Sequence, residues 1–333
     1  MPVRDERPGG QTEHFVTFFD HGFILQGMAL HASLRQWSPH SWLWVLCLDE
    51  EAQRQLEALA LPGLSIIPLA AFETPELLEA KRGRSRTEYI YTLTPFTFAH
   101  VFAADPDARR VTYVDADLFF FRDPQDLLRD FEASGRSVLI TEHGFAPEYR
   151  HLERNAGRFC VQFLTAVRGA AADRVLRSWQ EDCLASTSTA ADTRSVVFGD
   201  QRYLEDWPAR FPDAVYVSPH HRDMQAPWNV THEQRLPGGP HRPVFYHFHS
   251  LRVLGLGWVQ WCAGYRIGRG VHLYREYVTA LREAGEALAA AGVSPAPGAR
   301  REAFWAVRMM WRVLTGRVVL RRSLRSVPSR ALR

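Results

Sequence analysis

Val111-Thr-Tyr-Val-Asp115-Ala-Asp117-Leu-Phe-Phe-Phe121 is the stretch on which the fold turns. Its opening residues are β-branched or aromatic and read as a buried strand. That strand runs directly into Asp-Ala-Asp, so two carboxylates stand at the carboxyl end of a sheet strand, where open α/β sheets bind their ligands. Oxygen donors at i and i+2 can share one divalent cation, and such a cation can bridge the oxygens of a diphosphate. Asp-x-Asp alone also describes a solvated turn. The apolar strand before the pair and the Phe119 to Phe121 run after it argue against an exposed turn.

Strand-like and helix-like stretches alternate through the first 170 residues, the pattern of a mostly parallel sheet with helices on its faces. The strands expected are His14 to Phe19, Trp42 to Asp49, Leu64 to Leu69, Arg110 to Val114, Ser137 to Thr141 and Phe159 to Ala166. Between them Phe23 to Trp37, Glu51 to Ala60 and Pro75 to Ala80 have the apolar spacing of helices. Glu88 to Ala103 also reads helical, with Pro95 expected to end or kink it. A short helix is expected to start at Asp200, and a last strand to cover Pro243 to Phe248. The Gly- and Pro-rich stretch from Phe211 to Pro243 reads as a site wall rather than core.

The chain has 333 residues, of which 46% are hydrophobic, 12% aromatic and 23% charged, a composition that excludes a disordered, collagen-like or disulfide-scaffold protein. Its net charge of +3 is a cancellation. Ten Arg and one Glu after residue 299 give the end of the chain +9, leaving −6 for residues 1–299. Four cysteines, 47, 160, 183 and 262, form no C-x-x-C pair and read as reduced buried thiols. Met1 to Thr12 lacks the apolar run of a secretory signal, and no 18-residue apolar run is present, so an intracellular protein without a membrane span is expected. The organisation expected is a flexible N-terminus 1–12, a catalytic domain 13–291, a Pro/Gly linker 292–298 and a basic tail 299–333.

Further chemistry lies in Val244-Phe-Tyr-His247-Phe-His249-Ser250, where alternation sends His247 and His249 to one face. Imidazole suits Mn²⁺ and could complete an Asp/Asp/His site. In Gly199-Asp200-Gln201, glycine permits a tight turn and Asp200 can cap the helix that follows. Trp228 and Asn229 could form a sugar platform, an indole face against a pyranose beside a hydroxyl-binding amide, although with ten Trp in the chain core packing is the plain alternative. A haloacid-dehalogenase-like phosphatase also starts with a strand and Asp-x-Asp, but near its N-terminus and followed by Thr or Val. Here four strand-like segments lead up to the pair and Leu118 follows it.

Taken in order, these motifs resemble a bacterial GT-A glycosyltransferase related to glycosyltransferase family 8. The matching pieces are Phe18-Phe19-Asp20, Arg86-Thr-Glu-Tyr89-Ile-Tyr91-Thr-Leu-Thr-Pro95, Tyr113-Val-Asp115-Ala-Asp117, Gly199-Asp200-Gln201 and Tyr246-His247-Phe-His249. Similarity to a bacterial subgroup extends to Ile140-Thr-Glu142-His143, Phe159-Cys-Val-Gln162-Phe163 and Ala226-Pro227-Trp228-Asn229. The resemblance implies a GT-A, Rossmann-like nucleotide-sugar-binding mixed sheet flanked by helices. It implies that Asp115, Asp117 and His247 hold Mn²⁺, or Mg²⁺, against the diphosphate of a UDP-sugar. It implies further that Phe18, Phe19 and Asp20 lie at the nucleobase and ribose, and that Glu142, His143, Trp228 and Asn229 bind substrate. The family's His-x-x-Gly and Lys-Pro-Trp ending is absent, with His249 in its place beside the phosphates and Arg252 the nearest cation. A family Arg is Tyr91 here, so Arg86 or Arg84 would serve the phosphate or sugar.

Family relatives retain anomeric configuration, which would put the Gln201 amide oxygen beneath the anomeric carbon and Asp200 on the sugar hydroxyls. An inverting enzyme would instead use Asp200, Glu142 or His143 as base. Two other classes compete: a nucleotidyltransferase, which would need a Gly-rich Arg/Lys loop that Asp20-His-Gly22-Phe-Ile-Leu lacks, and a catalytically silent sugar-nucleotide-binding module. From Glu302 to Arg325 the spacing reads as a basic amphipathic helix, with Arg308 and Arg312, and Arg317, Arg321 and Arg325, in i,i+4 rows against Phe304, Trp305, Val307, Met310, Trp311 and Leu314. Such a tail suits the anionic inner face of the cytoplasmic membrane, where capsule, lipopolysaccharide and other glycan or lipid-linked acceptors are found. Docking on the body is the alternative. Nucleic acid is not expected as a partner, because the acidic body would repel phosphates.

Overall fold

A computed structural model describes residues 12–187, 199–238, 241–254, 258–293 and 318–322. Its strands are β1 (Glu13–Phe19), β2 (Ser41–Cys47), β3 (Leu64–Pro68), β4 (Arg110–Val114), β5 (Leu118–Phe120), β6 (Val138–Glu142), β7 (Phe159–Val167), β8 (Val215–Val217), β9 (Met224–Gln225), β10 (Phe245–His247), β11 (Arg252–Leu254), β12 (Trp258–Ala263) and β13 (Val318–Arg322). The helices are α1 (Ile24–Trp37), α2 (Glu50–Leu59), α3 (Leu69–Phe72), α4 (Pro75–Arg82), α5 (Arg86–Ala104), α6 (Gln125–Ser134), α7 (Glu153–Ala156), α8 (Ala170–Ala185), α9 (Trp207–Arg210), α10 (Val230–Glu233) and α11 (Val271–Ala290).

Seven strands form the main sheet in the order β3-β2-β1-β4-β7-β6-β8. β1 to β4 run parallel to one another, β7 runs antiparallel to both β4 and β6, and β8 is parallel to β6. This is the mixed sheet flanked by helices that the sequence implied. Strand alternation divides its core in two. Phe15 and Phe19 of β1 and Leu43, Val45 and Cys47 of β2 face α1, α2, α6 and α11, while Val16, Trp44 and Leu46 face α4, α5 and α8. Asp49 starts α2 by accepting the Ala52 N–H, and Ser85 and Glu88 form a reciprocal cap on α5.

The structure corrects several expectations. Pro95 does not end α5, which runs on from Arg86 to Ala104. The short helical turn Gln201–Leu204 starts at Asp200 as expected, but without a side-chain cap bond from the Asp200 carboxyl, which is buried. The Phe211 to Pro243 stretch is not merely a wall: Met224, Gln225, Ala226, Trp228, Asn229, Val230 and Gln234 are all buried. Phe19 lies in the core rather than at a ligand edge, its ring so close to Gly27 of α1 that a Cβ there would meet it at 2.3 Å.

The helical reading of the tail fails over Val318–Arg322, which pairs antiparallel with β12 as the third strand of the β11-β12-β13 sheet. The rest of that expected helix, and part of the expected linker, lie outside the described residues. A spacing of four is even, so it fits the period of a strand as well as that of a helix, and Val-Val-Leu favours the strand. Among the described residues no helix is long and apolar enough to cross a membrane.

Candidate functional site

Asp115 and Asp117 leave the carboxyl end of β4, next to β1 and β7 in the main sheet. The turn between β4 and β5 is fixed at both ends. The Asp115 N–H donates to the Gln162 carbonyl of β7 (3.1 Å), and the Leu118 N–H to the Asp115 carbonyl (3.1 Å). β10 then pairs antiparallel with β5 in the register His247↔Leu118, and the Phe248 N–H donates to the Asp117 carbonyl (2.9 Å). Backbone pairing alone therefore brings a histidine 130 positions downstream of Asp117 onto the aspartate turn.

One ligand atom from each of Asp115, Asp117 and His247 lies within 4.8 Å of the others. The His247 Nε2 is 3.1 Å from the Asp117 Oδ1 and 3.7 Å from the Asp115 Oδ2. Neighbouring ligands of an octahedral ion with bonds of about 2.1 Å stand about 3 Å apart, so the set fits one cation. Two carboxylates and one imidazole are donors that suit Mn²⁺. The Tyr113 hydroxyl donates to the Asp115 Oδ1 (3.0 Å), and the His247 Nδ1 faces the Gln162 Oε1 at 2.8 Å.

The electrostatics are those of concentrated negative charge. Burial works against a charged His247, but Asp117 and Asp115 outweigh it and raise the imidazole well above 6.5. Burial would raise Asp117 too, yet the charge and hydrogen bond of His247 hold it below the usual range. Burial raises Asp115, with Asp117 adding to the effect and His247 opposing it. Burial pushes Asp200 up to about 7, the Thr94 hydroxyl opposing and the nearby Asp115 adding to the rise. Beneath the site, the Cys160 thiol is brought down to about 7 because His143 and His247 outweigh its burial.

Other residues singled out in the sequence fall into two groups. At the carboxyl edge, Phe18 packs its ring on Tyr113 (5.4 Å between centroids), and Asp20 is paired with Arg86 (2.8 Å). His249 is exposed, its ring 5.6 Å from those of both His247 and Trp228. The Gln201 Nε2 donates to the Ala156 carbonyl (2.7 Å), and Glu142 is paired with Arg158 and with His221.

In the second group the side chains are buried or committed to partners within the protein. Trp228 is 4% exposed and its N–H donates to the His143 carbonyl (2.7 Å), with rings of His143, His247, His249 and Tyr265 around it. It is a packing hub, not an open sugar platform. Asn229 spends its amide on the loop, accepting from the Ala226 N–H and donating to the carbonyls of His143 and Met224. His143 is itself buried against Phe145 and Trp228. Arg84 is committed to Thr92 and to the carbonyls of Cys183 and Leu184.

The sequence reading missed the support that Gln162 and Tyr113 give the aspartates and histidine. A signal for the first was present, since a glutamine inside the otherwise apolar strand Phe159–Val167 must find polar partners. Tyr91 packs against Gly199, whose φ of +62° and missing Cβ let the turn before Asp200 close on the tyrosine ring.

Two Bacillus subtilis (strain 168) proteins are similar to this chain. "Uncharacterized protein YfnD" is 30% identical over 262 residues, 77% of this chain and 83% of that protein. "Uncharacterized protein YfnF" is 29% identical over 259 residues, 74% of this chain and 84% of that protein. Among solved structures, mouse xyloside xylosyltransferase 1 matches with a TM-score of 0.46 at 15% identity, over 72% of this chain and 98% of its own. The galactosyltransferase LgtC, crystallised with donor and acceptor sugar analogues, matches with a TM-score of 0.42 at 17% identity, over 71% of this chain and 87% of its own. Scores of that size carry no argument about activity. No protein-family profile matches the chain.

The buried hub yields a stability prediction. Trp228→Ala is expected to cost about 3–5 kcal/mol in urea unfolding. An unchanged urea midpoint would contradict the packing role.

Proposed function

The chain belongs to the family that includes the Bacillus subtilis protein YfnD, and from its aspartate–histidine cluster we propose that it is a metal-dependent GT-A glycosyltransferase. The reaction proposed moves a sugar from a UDP-sugar to a hydroxyl of a glycan or lipid-linked acceptor. One observation carries this reading: two carboxylates and an imidazole meet within 4.8 Å at the carboxyl end of a central strand. A divalent cation bound there would act as a Lewis acid toward the departing diphosphate.

Around it we assign the following parts. Asp115 and Asp117 supply hard oxygen donors, and His247 supplies Nε2. Phe18 offers an aromatic ring and the Asp20–Arg86 pair a polar edge for the nucleoside, with Arg86 exposed enough to meet phosphate oxygens. His249 stands exposed beside the metal set for a phosphate contact. Gln201, anchored through its amide N–H to Ala156, keeps its carbonyl as the electron-rich end toward a developing oxocarbenium ion. Glu142, paired with Arg158 and His221, and Asp200 are the carboxyl groups proposed for sugar hydroxyls.

Retention is the stereochemistry proposed. The inverting alternative would use Asp200, buried near Asp115 with its carboxyl raised to about 7, as the base.

A panel of UDP-sugars, assayed for UDP release with and without Mn²⁺, tests the proposal. Release by the wild type should require Mn²⁺ and fall at least about 100-fold in Asp117→Ala, the scale on which loss of transition-state charge stabilisation is felt. Product NMR should show the donor's own anomeric configuration. Release that is indifferent to the substitution, or none with any sugar nucleotide, would defeat the assignment.

The arginine-rich segment after residue 299 is proposed to meet an anionic membrane surface, where each Arg near the lipid contributes about 1 kcal/mol. The full-length protein should sediment with phosphatidylserine vesicles and lose most of that binding in Arg308→Gln/Arg312→Gln. Equal binding by both proteins would reject the anchor.

A further inference from the structure

Gln162 holds both halves of the aspartate–histidine set at once. It sits on β7, beside β4, and is 1% exposed. Its backbone carbonyl takes the Asp115 N–H (3.1 Å), and its side-chain oxygen stands 2.8 Å from the His247 Nδ1. A neutral imidazole carries one N–H and one lone pair. An acceptor oxygen at Nδ1 keeps the N–H there and leaves the lone pair on Nε2. That nitrogen is the one 3.1 Å from the Asp117 carboxylate and 3.7 Å from that of Asp115. With no oxygen at Nδ1, the ring would be free to take the other tautomer, whose Nε2–H cannot bind a cation.

We infer that Gln162 is a positioning residue that fixes the tautomer and orientation of His247 for divalent-cation binding. The inference rests on the metal-site reading above. It predicts that the residue acts on metal affinity through Nδ1 and touches neither donor nor acceptor. Outer partners of ligating histidines typically change metal affinity about 10- to 100-fold. The carbonyl contact to Asp115 belongs to the backbone and survives any substitution, so variants report on the side-chain oxygen alone.

The experiment titrates Mn²⁺ into the metal-free full-length protein and follows the electron paramagnetic resonance signal of the free ion. Urea unfolding is run on each variant. Gln162→Met should bind Mn²⁺ about 10- to 100-fold more weakly. Gln162→Glu, which restores an oxygen at Nδ1, should stay within about 3-fold of the wild type on the same reasoning. Should the Met variant fail to fold, Gln162→Asn, with its oxygen drawn back by one methylene, takes its place with the same expected loss.

Wild-type affinity in a folded Gln162→Met or Gln162→Asn would overturn the positioning role, as would equal weakening in Met and Glu. Those results leave the metal site itself standing, provided Asp117→Ala abolishes Mn²⁺ binding. Failure of the wild type to bind Mn²⁺ would overturn the site reading and this inference with it.

Discussion

Two neighbouring carboxylates that leave a buried strand must meet positive charge, and much of this structure is arranged to deliver it. Asp115 and Asp117 stand at the end of β4, surrounded by apolar residues from both sides of the sheet. Like charges this close are unfavourable in a low-dielectric setting. The pairing of β10 with β5 answers that constraint by bringing His247 to hydrogen-bond distance of Asp117. The same negative field that raises the His247 imidazole is what would draw a divalent ion to the cluster.

Support for this cluster comes from several directions. β7 contributes Gln162, β4 contributes Tyr113, and the loop that ends at Asn229 closes over His143 and His247 with the Trp228 indole. The loop is held by its own amides as well as by the pairing of β9 with β10: Asn229 and Gln234 both bond to it. Residues that look available for a ligand in the sequence are therefore the ones that fasten the ligand-bearing strands. Polar side chains in a buried loop have to satisfy backbone groups first.

This explains what was legible in the sequence and what was not. Long apolar runs separated by capped helices announced β1, β2, β4, β6 and β7, and the pattern of two aspartates and a late histidine announced the cluster. Period and local residue type carry that information. That Trp228 and Asn229 are buried was not legible, because exposure depends on what folds over a residue and no local pattern reports it. Phe19 was misread for a related reason. It alternates with Phe18 on β1, so one ring faces Tyr113 and the other faces Gly27. The strand at Val318–Arg322 was hidden by an arginine spacing common to both periods. Its partner, β12, could be found only from the three-dimensional pairing.

The account's central claim is that Asp115, Asp117 and His247 act as one cation site. The most direct measurement is anomalous diffraction from crystals grown with Mn²⁺ and UDP. The account predicts one manganese peak about 2.0–2.2 Å from a carboxylate oxygen of each aspartate and from the His247 Nε2. A peak bound elsewhere, or one held by the carboxylates with His247 turned away, would contradict it.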